Sequence, residues 1–349
     1  MISPRSTRIA AWVSGAVVLF GLIAVVTHLG EERKFLEVAR ASDPRWLMIA
    51  AVLQLGTYVC AGLAWQRGLR RFGMTQSLGG LLALGLAKLF TDQAMPSAGV
   101  SGSILVIRTL VHRGVARGAA VAAVLAALIG YYAAYAVSIV ATLAILWLEG
   151  DLSRLWLGLA TVLCFIAIAV PFAVLGLQGA LHTRAEAWAA RMPITKAVLA
   201  AVAEAPPEVV RDRELLVETT SMQLMIFLLD AATLWVMLRA VGAAAPFETA
   251  FAAFVTASMI GTLAIIPGGI GVFEGASLGM LHVFGVALPA ALAATLLLRG
   301  FTFWLPMVPG LWIVRHQLRV ARVEDDDLFP ENALDAPGHE RGKVGQNLR

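Results

Sequence analysis

Charge is scarce in this sequence. Only 14% of its 349 residues are Asp, Glu, Lys or Arg, while 59% are hydrophobic. A soluble domain carries about 25% charged and about 45–50% apolar residues. The mean hydropathy is strongly positive, which excludes an ordinary soluble fold. Cysteine is nearly absent: Cys60 and Cys164 each lie inside an apolar run, without CxxC or Cys/His spacing. That speaks against a disulfide framework or a zinc site, and both read as small buried apolar residues. No metal site, cofactor or catalytic residue set is expected. The net charge of +4 sits in short basic loops rather than in one patch, so nucleic acid is not an expected partner. The first apolar run reads as an uncleaved transmembrane helix rather than a signal-peptide core. The first apolar run, Ile9–Leu29, spans about 21 residues against about 7–15 for such a core, and it ends in "THLGEERK".

What is there is a series of apolar runs long enough to cross a bilayer, the signature of helical rather than barrel spans. Arg5 and Arg8 place residues 1–8 on the cytoplasmic side. Asp43 before Pro44 reads as an N-cap and first helical residue, so a second span covers Trp46–Trp65 and ends in the basic "QRGLRRFGM". Residues 78–110 form two apolar pieces around "PSAGVSG" with basic loops on both sides, a hairpin entering and leaving on one face. Gly118–Leu148 is longer than one hydrocarbon thickness and is expected to be tilted, kinked or partly interfacial. Leu155–Leu177 returns to a cytoplasmic loop at 179–214. Leu215–Leu238 crosses outward, a second hairpin occupies 248–286, and Ala290–Val314 returns to Arg315, Arg319 and Arg322. The tail, 317–349, reads as disordered.

The expected fold is therefore an all-α integral membrane protein. It has an inverted repeat of about three spans plus one Pro/Gly-broken re-entrant hairpin per half. The repeats are 9–148 and 149–316, both termini are cytoplasmic, and the setting is a bacterial inner membrane. Paired broken segments at corresponding places in inverted halves point to a transporter's binding site.

Within lipid, unpaired backbone groups are tolerated only against protein or a water-filled cavity. The breaks at Pro96, Gly99 and Gly102, and at Pro267, Gly268, Gly269 and Gly271, are thus expected inside the protein. The free N–H groups of the helix that follows each break would suit a phosphate. Glycines that merely let helices pack closely are the competing reading. Lys88, Asp92, Asp230, Glu274 and Arg299 fall within apolar runs, where a charge costs roughly 2.5–3.5 kcal/mol on the insertion scale. They are read either as structural ion pairs, Lys88 with Asp92 and Arg299 with Asp230 or Glu274, or as the lining of a polar path. Tyr131, Tyr132 and Tyr135 read as packing or interface residues.

The segment "IPGGIGVFEGA" resembles the Pro-Gly-Gly-hydrophobic-Gly-x-x-Glu signature of the flippase-like lysylphosphatidylglycerol synthase transmembrane family. Arg299 fits its later arginine, and "DQAMPSAGVSGS" is similar to its first-half motif. The resemblance covers roughly residues 5–320. It implies movement of lipids between leaflets, with Glu274, Arg299, Pro267, Gly268, Gly269 and Gly271 carried over most directly, and Asp92 and Pro96 after them. Multidomain members also carry a soluble aminoacyltransferase domain. Here only a short polar tail follows the last span, so the expectation is a stand-alone transporter of a phospholipid or polyprenyl lipid, not an enzyme.

Two other functions fit the sequence. A membrane-embedded polyprenyl-diphosphate phosphatase would use Ser97, Ser101 and Ser103 at the first tip, but the second tip offers only Glu274 beside its glycines. A non-transporting partner would recruit a lipid synthase through the 179–214 loop. The partners expected are the bilayer and its lipids, with a homo-oligomer or a synthase partner also compatible.

Overall fold

The computed structural model describes residues 42–94, 100–148, 161, 165, 212–263 and 269–315. The expected spans at 9–29 and 155–177, most of the 179–214 loop and the 317–349 tail lie outside the described residues. So do the tip residues Pro96, Gly99, Pro267 and Gly268.

Among the described residues, eight helices follow one another in a repeated order. In the first set, α1 is Pro44–Arg70, α2 Leu78–Ala94, α3 Val100–His112 and α4 Arg117–Leu148. In the second, α5 is Arg213–Ala240, α6 Phe247–Leu263, α7 Val272–Val283 and α8 Leu288–Arg315. Each set runs long, short, short, long. Among the described residues no strand occurs, and four helices, α1, α4, α5 and α8, are long and apolar enough to cross a membrane. With 27 to 32 residues each, they are about 40–48 Å long at 1.5 Å per residue, more than a core of about 30 Å. Residues 117–148 form one continuous helix. The short helices have 12 to 17 residues, about 18–26 Å, too short to span it alone.

Local chemistry sets the ends. The Asp43 carboxylate accepts the Arg45 N–H at 2.9 Å, with Pro44 in the first turn, as the sequence predicts. Asp212 does the same for α5 through the Leu215 N–H at 3.1 Å. After α3 and after α7 the chain turns through Gly114 and Gly285, both at positive φ. In each case the next residue, Val115 or Val286, donates its N–H back to Leu110 or Leu281. Only glycine enters that left-handed conformation without a Cβ penalty.

The spine of the molecule is the pair α1 and α5. Gln54 meets Asp230 and Thr233, Gly56 lies against Leu229, Arg67 pairs with Glu218, and Arg71 with Asp212 and Glu214. As the residue number rises on one helix it falls on the other, so the two run antiparallel. The charged pairs cluster at one end, Arg67–Glu218 at 3.1 Å and Arg71–Glu214 at 2.7 Å. There the hydrogen bond that Arg71 donates to Glu214, together with the nearby carboxylates, pushes the exposed Arg71 guanidinium up from its usual value.

Helix α4 runs alongside α5 in the same direction, with Leu215 against Ala122 and Ala126, and Phe227 against Tyr131 and Tyr135. Apolar burial gives little drive between helices in lipid, so close backbone approach matters more. A Cβ on Gly68 would lie 2.7 Å from the Ala123 Cα, and one on Gly130 would lie 2.8 Å from the Thr219 carbonyl carbon. The packing role considered for glycine is thus met by mid-helix residues that the tip motifs do not contain. Met48, Val52, Leu55, Val137, Val140 and Trp147 are exposed, as the lipid-facing sides of such helices require.

Candidate functional site

The second hairpin places a helix start beside a charge pair. Gly269 and Gly271 have φ of 61° and 82°, a region that an L side chain rarely adopts. This turn ends the break and starts α7 at Val272. Glu274, at the third position of the helix, folds back so that its Oε2 accepts the Gly271 N–H at 2.7 Å. That is the acidic half of a capping box. Its other oxygen, Oε1, accepts the Arg299 Nε–H at 2.6 Å from α8. The Arg299 guanidinium also lies over two rings, 5.0 Å from the centroid of Phe273 and 4.5 Å from that of Phe303. Ser277 and Thr295 share a hydrogen bond of 3.0 Å between buried hydroxyls, which fixes α7 against α8 one turn away.

Pairing offsets the cost of placing each charge in lipid, and the flanking rings hold the cation further. The site is not sealed. The Glu274 side chain is 20% exposed, Arg299 11%, and open space lies beside the Cα of Gly271. Gly269 is buried, with Gly261 close by.

Directly after Arg299 the helix widens. Residues Gly300–Trp304 form a π turn, closed by the Leu305 N–H donating to the Gly300 carbonyl. Pro306 follows and has no N–H to give the Thr302 carbonyl, a sufficient local cause for the irregularity. Beyond it, Gly310 faces α2 so closely that an added Cβ would lie 2.6 Å from the Leu86 carbonyl oxygen and 2.8 Å from the Phe90 Cβ. Helix α8 therefore touches both hairpins, α7 through Thr295 and Arg299, and α2 through Gly310.

The first hairpin has a matching device. Lys88 and Asp92 pair at 2.5 Å along one face of α2, four residues apart, as their spacing predicts. The second Asp92 oxygen, Oδ1, crosses to α3 and accepts the Gly102 N–H at 2.8 Å. A Cβ on Gly102 would collide with that carboxylate. Ser101 donates to the Thr91 carbonyl at 3.4 Å in the same crossing.

One sequence expectation is corrected here and one open alternative is resolved. The N–H groups after the breaks are not all free: Gly102 and Gly271 already bind the chain's own carboxylates, because a tethered acid is always at hand for an unsatisfied helix start. Of the two acids the sequence left open, Arg299 pairs with Glu274 and not with Asp230. Asp230 sits instead at the α1–α5 crossing, where its Oδ1 accepts from Gln54 Nε2 at 2.9 Å.

Several contributors escaped the sequence reading. Phe273 and Phe303 flank Arg299, and the signal was their position, one residue before Glu274 and four after Arg299. The tyrosines, read from the sequence as packing or interface residues, meet Phe227, Tyr135 stacked on it and Tyr131 tilted beside it, and Phe227 continues through Phe254 to Phe273 in ring-to-ring contacts of 5.4 to 6.4 Å. An aromatic row thus leads from beside Asp230 to the Arg299 pair.

The sequence matches the model of the lysylphosphatidylglycerol synthase TM region over residues 11–310. No curated protein matches it. The chain belongs to that family and is a multi-pass membrane protein.

Proposed function

We propose that this member of the family carries the polar headgroup of a phospholipid or polyprenyl lipid between leaflets, as a transporter rather than an enzyme. Its setting would be a bacterial cytoplasmic membrane, with both termini cytoplasmic. The observation that carries this reading is the Glu274–Arg299 pair, incompletely buried at the start of a helix too short to span the bilayer. Charge at that depth is costly and is generally associated with a substrate path.

The chemistry is one of exchange. A lipid phosphate would compete with Glu274 for Arg299 and for the Gly271 N–H, both of which are donors. A cationic headgroup would take the released carboxylate. The two π faces beside Arg299 keep the guanidinium in place when its partner changes. The acyl chains stay in the bilayer while the headgroup crosses. Substrate binding and release of the cap are then one event, so the hairpin start loosens only when a ligand replaces its acid.

An inverted repeat supports alternating exposure of such a site to the two leaflets. In its favour, α1 and α5 begin the two similar helix sets and run antiparallel to each other, and the set order is the same.

Leaflet exchange in proteoliposomes tests the proposal. Exchange of labelled phospholipid or polyprenyl phosphate faster than in empty vesicles, lost in Arg299→Ala, is the expected result. Equal rates with and without protein for every such lipid would sink it.

A further inference from the structure

Asp230 lies near the middle of α5, away from either hairpin's ion pair. Its Oδ1 accepts from Gln54 Nε2 at 2.9 Å, and the same amide nitrogen donates to Thr233 Oγ1 at 3.0 Å. Thr233 donates its own hydrogen to the Leu229 carbonyl at 2.8 Å, so it acts as an acceptor toward Gln54. Both Gln54 amide hydrogens are thereby used. Among the described residues the carboxyl group of Asp230 receives this one hydrogen bond, on one oxygen.

Among the described residues, the groups facing it are neutral. Tyr58 of α1 and Tyr131 of α4 lie within electrostatic range of the carboxyl. Among the described residues of α1, α4, α6 and α8, no lysine, arginine or histidine acts on it. Arg299 and Lys88 are held by Glu274 and Asp92. Among the described residues, this mid-helix carboxylate meets a single neutral donor and no cation, unlike the two paired acids. Uncompensated charge at such depth is relieved by binding a positive charge, and the smallest is a proton.

We propose that Asp230 is a proton-binding site, taking a proton from water onto its Oδ2 while Gln54 holds Oδ1. The site joins the two helices that lead the two sets, so its occupancy bears directly on the α1–α5 contact. It is separate in space from the Glu274–Arg299 pair and does not depend on the transport reading.

The experiment is infrared difference spectroscopy of the full chain in lipid nanodiscs across a pH series. The expected result is a protonated-carboxyl band near neutral pH that fades as pH rises and is missing in Asp230→Asn. Asparagine keeps an acceptor for Gln54, so the contact survives the change. Gln54→Leu, which removes the donor but keeps the carboxyl, retains the band and covers the case in which Asp230→Asn fails to fold. Identical spectra for wild type and Asp230→Asn, or no such band in Gln54→Leu, would overturn the proposal. So would loss of the band when sodium replaces potassium, which would make the site one for an alkali cation. Because the readout is proton occupancy, failure of every lipid-exchange assay would leave this result standing.

Discussion

Asp92 reaches across the first hairpin to take the Gly102 N–H at 2.8 Å, while Lys88 holds its other oxygen at 2.5 Å. Glu274 does the equivalent in the second hairpin, with Gly271 on one oxygen and Arg299 on the other. Each acid thus joins a cation to a helix start. The two differ in where the parts come from. Lys88 and Asp92 share one helix, whereas Glu274 and Arg299 tie a hairpin to a long span.

The difference sets a first prediction. Glu274→Ala leaves Arg299 without its carboxylate between two rings and should lower stability by about 3–5 kcal/mol. Glu274→Gln keeps an acceptor for the Gly271 N–H and should cost less. Thermal unfolding in detergent, followed by size-exclusion profile, orders the variants. Equal melting temperatures for Glu274→Ala and the wild type would contradict the geometry.

Gly102→Ala places a methyl group where the Asp92 carboxylate sits. The cap and the Lys88 pair cannot both survive it, so the expected loss is about 1–3 kcal/mol. Pairing it with Asp92→Ala should cost less than the sum of the two single changes, since they remove the same contact. A double-mutant cycle on melting data checks this, and additivity would refute it.

Gly310→Leu should be more damaging than its position near the end of α8 suggests. The new side chain meets the Leu86 backbone, which cannot move aside as a side-chain tip can. A cost of about 1–3 kcal/mol is expected. Leucine at the neighbouring exposed Val308 should leave the melting temperature unchanged and serves as the control.

The antiparallel spine predicts a cross-linking pattern. With Cys60 and Cys164 replaced by alanine, Arg67→Cys and Glu218→Cys should join through a short thiol-reactive linker. Arg67→Cys with Arg239→Cys should not, because Arg239 lies at the opposite end of α5. Gel mobility after cleavage of the intervening loop distinguishes the two, and the reverse pattern would overturn the stated packing.

Much of this was legible in the residues. Pro44 after Asp43 fixed the start of α1, and uninterrupted apolar runs gave the four long helices. The four-residue spacing of Lys88 and Asp92 gave their pairing. The Arg299 partner was narrowed to two acids but not chosen, because the choice depends on how α7 meets α8 and not on sequence distance. The capping of Gly102 and Gly271 was missed for a related reason. Glycine and proline mark where a helix breaks, but a broken end says nothing about which side chain reaches it. One signal of the repeat went unread: Gly114-Val115-Ala116 and Gly285-Val286-Ala287 sit at corresponding turns, and both glycines have positive φ. Gln54 carried no signal at all, since an amide in an apolar run declares its purpose only when the opposite helix is in place.

The π turn after Arg299 sets the angular phase of α8. One surplus residue in the winding rotates everything beyond it by about 100° relative to a regular helix. Were that surplus absorbed, Gly310 would swing off the Leu86 backbone while Arg299 kept its bearing. The bulge acts like an offset on a camshaft, setting the timing of two contacts that lie on a single rod.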